Sequence, residues 1–339
     1  MTLTSQSSPA AVDGVQSRRS ALASNASLKP IVGFALLFAL VWVIGYVAHV
    51  TLPFLRAGSV VIADAKFDTL VARPMFEPHD RFRVMFFGHS KALTCIRPRE
   101  LDSAMGPDFR SYNLGLPGEV RFLPLLEAAL LAGNVPTHVA LTLPWDGRPD
   151  GEGLIEALRN DSAIVNMLIP FRTLPRDAAL FLYENRRRLT DAVHDVAEQR
   201  QGMLEQRGWY FIKSQSHYAN DRLPDDYTLP TDTPARIERR AIPDMSHSRK
   251  RLEQLAHQYG FKILLIPVPY RIGQYAPAPA PDIDRVARLA DDPSIQVVGP
   301  DYFLYPPAMF SDPQHMNLSG AMAYTSDLAK LLKRTGAFD

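Results

Sequence analysis

The chain has 339 residues, 46% of them hydrophobic and 22% charged, enough apolar material for one large packed domain or two small ones. Its 37 basic and 36 acidic residues leave a net charge of +1, which removes the electrostatic case for a nucleic-acid partner. Cys95 is the one cysteine, so no disulfide can form within the chain; as a lone thiol in an apolar stretch it reads as a small buried hydrophobe.

Residues 1–30 are rich in Ser and Ala and read as a disordered cytoplasmic tail. Residues 31–52 form an apolar run of 22 residues, with His49 the only side chain in it that ionises near neutral pH. As a helix rising about 1.5 Å per residue, this run covers the roughly 30 Å hydrocarbon core of a bilayer. A cleaved signal peptide is the rival reading. Its apolar part usually runs about 7–15 residues and ends in a small-residue cleavage site. The run here is longer and no clear site follows, which favours a single-pass anchor in the cell membrane. Arg18, Arg19 and Lys29 precede it and Arg56 follows. The positive-inside bias then leaves the C-terminal part in the periplasm or outside the cell. Residues 53–80 read as a juxtamembrane connector with room for a short helix.

Core organisation is expected from Arg81 onward. Val84, Met85, Phe86 and Phe87 form a continuous apolar run, the pattern of a strand buried on both faces. Pro98 opens a helix through Met105, being tolerated in a first turn. Residues 109–113 give a second strand, 120–132 a helix with Leu123, Leu126 and Leu130 on one side, and 137–143 a third strand. Alternation of strand and helix predicts a parallel sheet with right-handed crossovers.

From about 146 to 246 the alternation breaks, which marks an insertion. Within it, 174–206 reads as one long helical stretch carrying Arg186, Arg187 and Arg188. Such a run is a solvated face or a contact for anionic glycan or lipid head groups. Trp209, Tyr210, Phe211, His217 and Tyr218 follow; these rings either stack on sugar or tie the segment to the core. The main pattern then resumes with a helix over 246–259, a strand over 261–268, a helix over 281–290, a short strand over 295–298 and a closing helix over 318–334.

In an open α/β sheet, ligands bind outside the carboxyl ends of the strands. Ser90 follows the first predicted strand, Gly118 the second, Trp145 and Asp146 the third, and Tyr270 the fourth; Asp312 and His315 precede the last helix. All fall on one edge. A serine with an Asp-x-x-His pair supplies a nucleophile, a base and a group to orient the base. No histidine spacing suited to a metal site is seen, and no cofactor is called for.

Gly88-His89-Ser90, Tyr112-Asn113-Leu114-Gly115-Leu116-Pro117-Gly118 and Asp312-Pro313-Gln314-His315 together resemble the blocks of the SGNH/GDSL hydrolase superfamily. The resemblance covers roughly 81–333. Within the superfamily it is closest to the membrane-anchored branch linked to O-acylation of cell-surface polysaccharides, such as the alginate-acetylation and DltD-like proteins. It implies a flavodoxin-like three-layer sandwich with a central parallel sheet. It also implies Ser90, Asp312 and His315 as catalytic residues, with the N–H groups of Ser90 and Gly118 as oxyanion donors. Two departures stand out: His89 replaces the usual aspartate, and Pro144-Trp145-Asp146 stands where the third block offers an oxyanion-hole asparagine. His89, Asn113, Trp145, Asp146, Trp209, Tyr210 and Tyr270 are the candidate substrate contacts, although Asn113 also reads as a structural hydrogen-bonder and His89 as a support for the turn that carries Ser90.

The implied activity is transfer of an acyl group, acetyl first among them, to a glycan, or hydrolysis of such an ester. The acyl donor would come by way of a multi-pass membrane acyltransferase. The alternative is a degenerate scaffold or glycan-binding protein of a polysaccharide-export assembly.

Overall fold

The apolar run after Arg81 becomes strand β1 (Phe82–Phe87), and it lies inside a sheet. A computed structural model of the chain describes residues 29–55, 58–72, 74–117, 122–142, 168–169, 171–210, 216, 218–232, 247–275, 286–289, 292–300 and 302–338. β1 is flanked by β2 (Phe109–Asn113) and β3 (His138–Thr142), followed outward by β4 (Lys262–Ile266) and β7 (Asp292–Val298). These five strands are parallel in the order β2-β1-β3-β4-β7. β6 (Val286–Leu289) adds antiparallel to β7 at the edge. β5 (Val268–Arg271) and β8 (Tyr302–Tyr305) form a separate parallel pair.

Successive strand residues face opposite sides, so each strand feeds two cores. Met85, Phe87, Val139, Leu141, Ile263 and Leu265 pack under helices α5 (Leu123–Leu131) and α8 (His247–Tyr259). Val84, Phe86, Ala140, Leu264 and Ile266 pack under α3 (Ser90–Cys95), α4 (Pro98–Met105) and α9 (Leu318–Arg334). Cys95 is fully buried in this second core, and burial pushes its thiol well above the usual range.

N-terminal to the sheet lie α1 (Lys29–Thr51) and α2 (Gly58–Ala72). α1 is long and apolar enough to cross a membrane and has no buried residue. α2 is more than a connector. Ala65, Leu70 and the following Met75 are buried, and Lys66 reaches through to donate to the Gly115 carbonyl at 2.5 Å. Packing therefore begins before residue 81.

Three local expectations are corrected. The long helix expected over 174–206 is two helices, α6 (Leu174–Glu184) and α7 (Leu189–Glu205). Asn185 ends the first by returning its side-chain amide to the Phe181 carbonyl at 2.9 Å. The helix expected over 281–290 is, in its described part, the strand β6, whose hydrogen bonds come from the free edge of β7. Local periodicity does not encode such a tertiary pairing. β8, absent from the sequence reading, pairs with β5 from Val268 to Arg271.

Candidate active site

Gly88 follows β1 directly, and a Cβ there would run into the Thr142 side chain and lie 2.8 Å from the Ala92 Cβ. That close approach lets α3 begin at once. His89 caps α3 with extended backbone, its Nδ1 accepting from the Lys91 N–H at 3.2 Å. The imidazole thus takes the place of the carboxylate or hydroxyl that usually serves as N-cap. Ser90 becomes the first helical residue, and its N–H is among those that no helical carbonyl can reach. It stands at the carboxyl end of β1, between β2 and β3, where the strand order reverses.

The position of α3 is fixed from below. Asn113, the last residue of β2, is fully buried and donates to the carbonyls of Ala92 (2.8 Å), Leu93 (3.2 Å) and Ile96 (2.8 Å). Its Oδ1 accepts from Gly115 N–H at 3.0 Å. Gly115 packs so tightly that a Cβ there would lie 2.7 Å from the Leu93 nitrogen. The parallel ladder continues past the strands, with Leu116 N–H to Gly88 O at 2.9 Å.

From the other end of the chain, Asp312 and His315 arrive on the loop before α9. Asp312 Oδ1 accepts from the N–H groups of Gln314 and His315, each at 2.8 Å, closing a tight turn. Asn317, not Asp312, caps α9, accepting from Gly320 N–H at 3.0 Å. Asp312 Oδ2 is therefore left for the imidazole: it lies 2.8 Å from His315 Nδ1. His315 Nε2 in turn lies 2.8 Å from Ser90 Oγ. With Asp312 as acceptor, Nδ1 carries the proton and Nε2 is free to accept from the serine hydroxyl. Burial raises Asp312, but the hydrogen bonds from His315 and Gln314 outweigh it and hold the carboxyl below its usual value. The His315 and Asp312 side chains keep 32% and 43% of their surface exposed, so the pair faces solvent.

The remaining candidates divide. Gly118, Trp145 and Asp146 lie outside the described residues. Asn113 is committed to holding α3 and has no exposed surface to offer a substrate. Tyr270 is buried as well; its ring carries the Lys91 ammonium 3.8 Å from its centroid and packs on Tyr275. Trp209 donates its indole N–H to Thr94 O at 2.8 Å, in the last turn of α3, beneath the Arg97 guanidinium. Tyr210 donates its N–H to Leu93 O and lines a cavity of about 470 Å³ between α2 and the helices α6 and α7, away from Ser90. Both rings tie the insertion to the core. The insertion reaches the carboxyl end of β2 through Arg207, whose carbonyl accepts from Asn113 N–H at 2.9 Å.

Sequence reasoning missed Lys91 and Lys66. Lys91 is buried beside Ser90; burial lowers its pKa to about 8, while the Asp312 carboxylate acts in the opposite sense. Lys66 is buried and lowered well below the usual lysine range. A lysine flanked by apolar residues, as in Ala65-Lys66-Phe67, was the available signal. Compared with protein-family models, curated proteins and solved structures, the chain matches none.

Proposed function

We propose that the chain is a membrane-anchored serine O-acyltransferase or acyl-esterase of SGNH type, acting on a glycan of the cell envelope. The reading rests on one observation above all, the continuous relay Asp312–His315–Ser90 with both links at 2.8 Å. His315 Nε2 takes the hydroxyl proton as Ser90 Oγ attacks the ester carbonyl carbon. The tetrahedral oxyanion collapses, the leaving alkoxide regains the proton from His315, and the acyl group stays on Ser90. A sugar hydroxyl or water, deprotonated by His315, then attacks the acyl-enzyme and releases the serine with its proton. Asp312 fixes the tautomer and balances the imidazolium charge.

The Ser90 N–H is the oxyanion donor that the helix start favours, and Gly118 is the second by resemblance. One such donor is worth about 3–4 kcal/mol in the transition state. Transfer is preferred over hydrolysis because the open triad and the anchor suit a polymer held near the membrane. The α1 helix would then cross the bilayer with the C-terminal part outside the cytoplasm. The test follows label from an aryl acyl ester in the presence of oligosaccharide. A transferase deposits label on sugar faster than it releases free acid, an esterase does the reverse, and Ser90→Ala does neither. Equal turnover by wild type and Ser90→Ala sinks the proposal, and no turnover by wild type leaves the scaffold reading.

A further inference from the structure

The insertion touches α1 well below its C-terminal end. The Trp42 indole N–H donates to Leu168 O at 2.9 Å, and the Phe171 ring packs edge-on against Trp42, with centroids 5.8 Å apart. Gly45 admits that ring; a Cβ there would sit 2.5 Å from it. Higher up, Phe181 of α6 meets Phe54, just past α1, at 5.5 Å. At about 1.5 Å per residue, Gly45 lies about 9 Å and Trp42 about 14 Å along the axis from Thr51. The ten steps from Phe171 to Phe181 cover about 15 Å on the same scale, matching the climb from Gly45 to Phe54. α6 therefore rises beside the last turns of α1.

We infer that Leu168, Ile169 and Phe171 form an apolar wedge sunk in the outer leaflet, with α6 climbing from it through the lipid head groups. The inference rests on the reading of α1 as a membrane span. Backbone at that depth must satisfy its own polar groups. Here Leu168 O takes the Trp42 indole, Ile169 O takes Arg172 N–H at 3.1 Å, and Phe171 O takes Leu174 N–H at 2.9 Å. The surface left uncovered suits lipid. Leu168 is 59% exposed, and Leu180, Leu182 and Tyr183 are exposed as well. Val43, Ile44 and Val47 are exposed as well, on the side of α1 turned away from Phe171.

Charges follow the same gradient. Arg172, in the turn before α6, and Arg176, on α6 and paired with Asp177 at 2.9 Å, have stems long enough to lift a guanidinium toward the phosphates. Arg186, Arg187 and Arg188 lie beyond its upper end, at head-group height and next to Tyr183. The triad domain would thus be held at two points, the span and the wedge, and so at a fixed height over the bilayer.

Bimane-labelled single-cysteine variants of the full-length protein test this in phosphatidylcholine–phosphatidylglycerol vesicles whose acyl chains carry bromine. Cys95 is fully buried, which leaves the introduced thiols as the reactive ones. Label at Leu168→Cys and at Val43→Cys should lose most of its emission to the bromines. Label at Glu198→Cys, on an exposed face of α7, should keep its emission. If Val43→Cys is quenched while Leu168→Cys stays bright and yields to aqueous iodide, the wedge is wrong and the anchor stands. If Val43→Cys is not quenched, the span itself is wrong and the wedge falls with it.

Discussion

The reactivity proposed for Ser90 depends on residues far from it in sequence, and single substitutions should separate their roles. Asp312→Asn keeps the shape of the turn but reverses the hydrogen bond that sets the imidazole tautomer. A fall of about 10⁴-fold in kcat is the scale this change reaches in a protease triad, and kcat on an activated ester is the measurement. The Asp-x-x-His pair was legible because both side chains sit in one tight turn. His89 was legible only as one of two roles, a substrate contact or a support for the Ser90 turn; the structure shows the support, an imidazole acting as helix cap. His138 offers a separate check on the buried sheet. Burial, helped by nearby Lys262, lowers its pKa from 6.5 to about 4. Between those values the unfolded chain holds a proton that the folded one refuses, so stability falls as pH drops through that window. With about 1.4 kcal/mol per pKa unit, the loss is about 3 kcal/mol. Urea unfolding at pH 7 and pH 4 should show it in wild type and a smaller loss in His138→Leu.

At the scale of elements, strands β1 to β4 and helices α4 and α9 follow from apolar runs, Pro98 and the Asn317 cap, all of them local signals. The elements that escaped depend on partners elsewhere in the chain. β6 exists because β7 has a free edge, and α2 belongs to the domain because its inner face meets α5 and the Gly115 loop. Leu70 carries that claim: it is fully buried in the core beneath the sheet. Leu70→Ala should cost about 2–5 kcal/mol in chemical unfolding of the full chain. A cost near zero would return α2 to the status of a loose connector. The aromatic segment at 209–210 shows the limit of composition: Trp209 and Tyr210 suit sugar stacking as a pattern, yet their polar atoms are taken up by α3 and α7.

For the molecule as a whole, the five-stranded parallel sheet explains why residues so far apart converge. Ser90 leaves the carboxyl end of β1, and the loop before α9 returns to the same edge. That convergence was legible from counting strands, because parallel crossovers bring every strand end to one side. The insertion was not legible in the same way, since its helices are placed by α1, α2 and α3 rather than by any repeat in its own sequence. The orientation proposed across a membrane has its own check. Alkaline phosphatase fused after Asp339 should be active on cells, and a green fluorescent protein at the same point should stay dark if exported by the general secretory route. The reverse pattern would place the triad in the cytoplasm.

The central claim is that Ser90 is the nucleophile. Intact-protein and peptide mass spectrometry after treatment with a fluorophosphonate or an aryl acetate tests it most directly. The account predicts one adduct, on the peptide containing Ser90, lost in Ser90→Ala and strongly slowed in His315→Ala. No adduct on that peptide, or an adduct formed equally fast without His315, would contradict it.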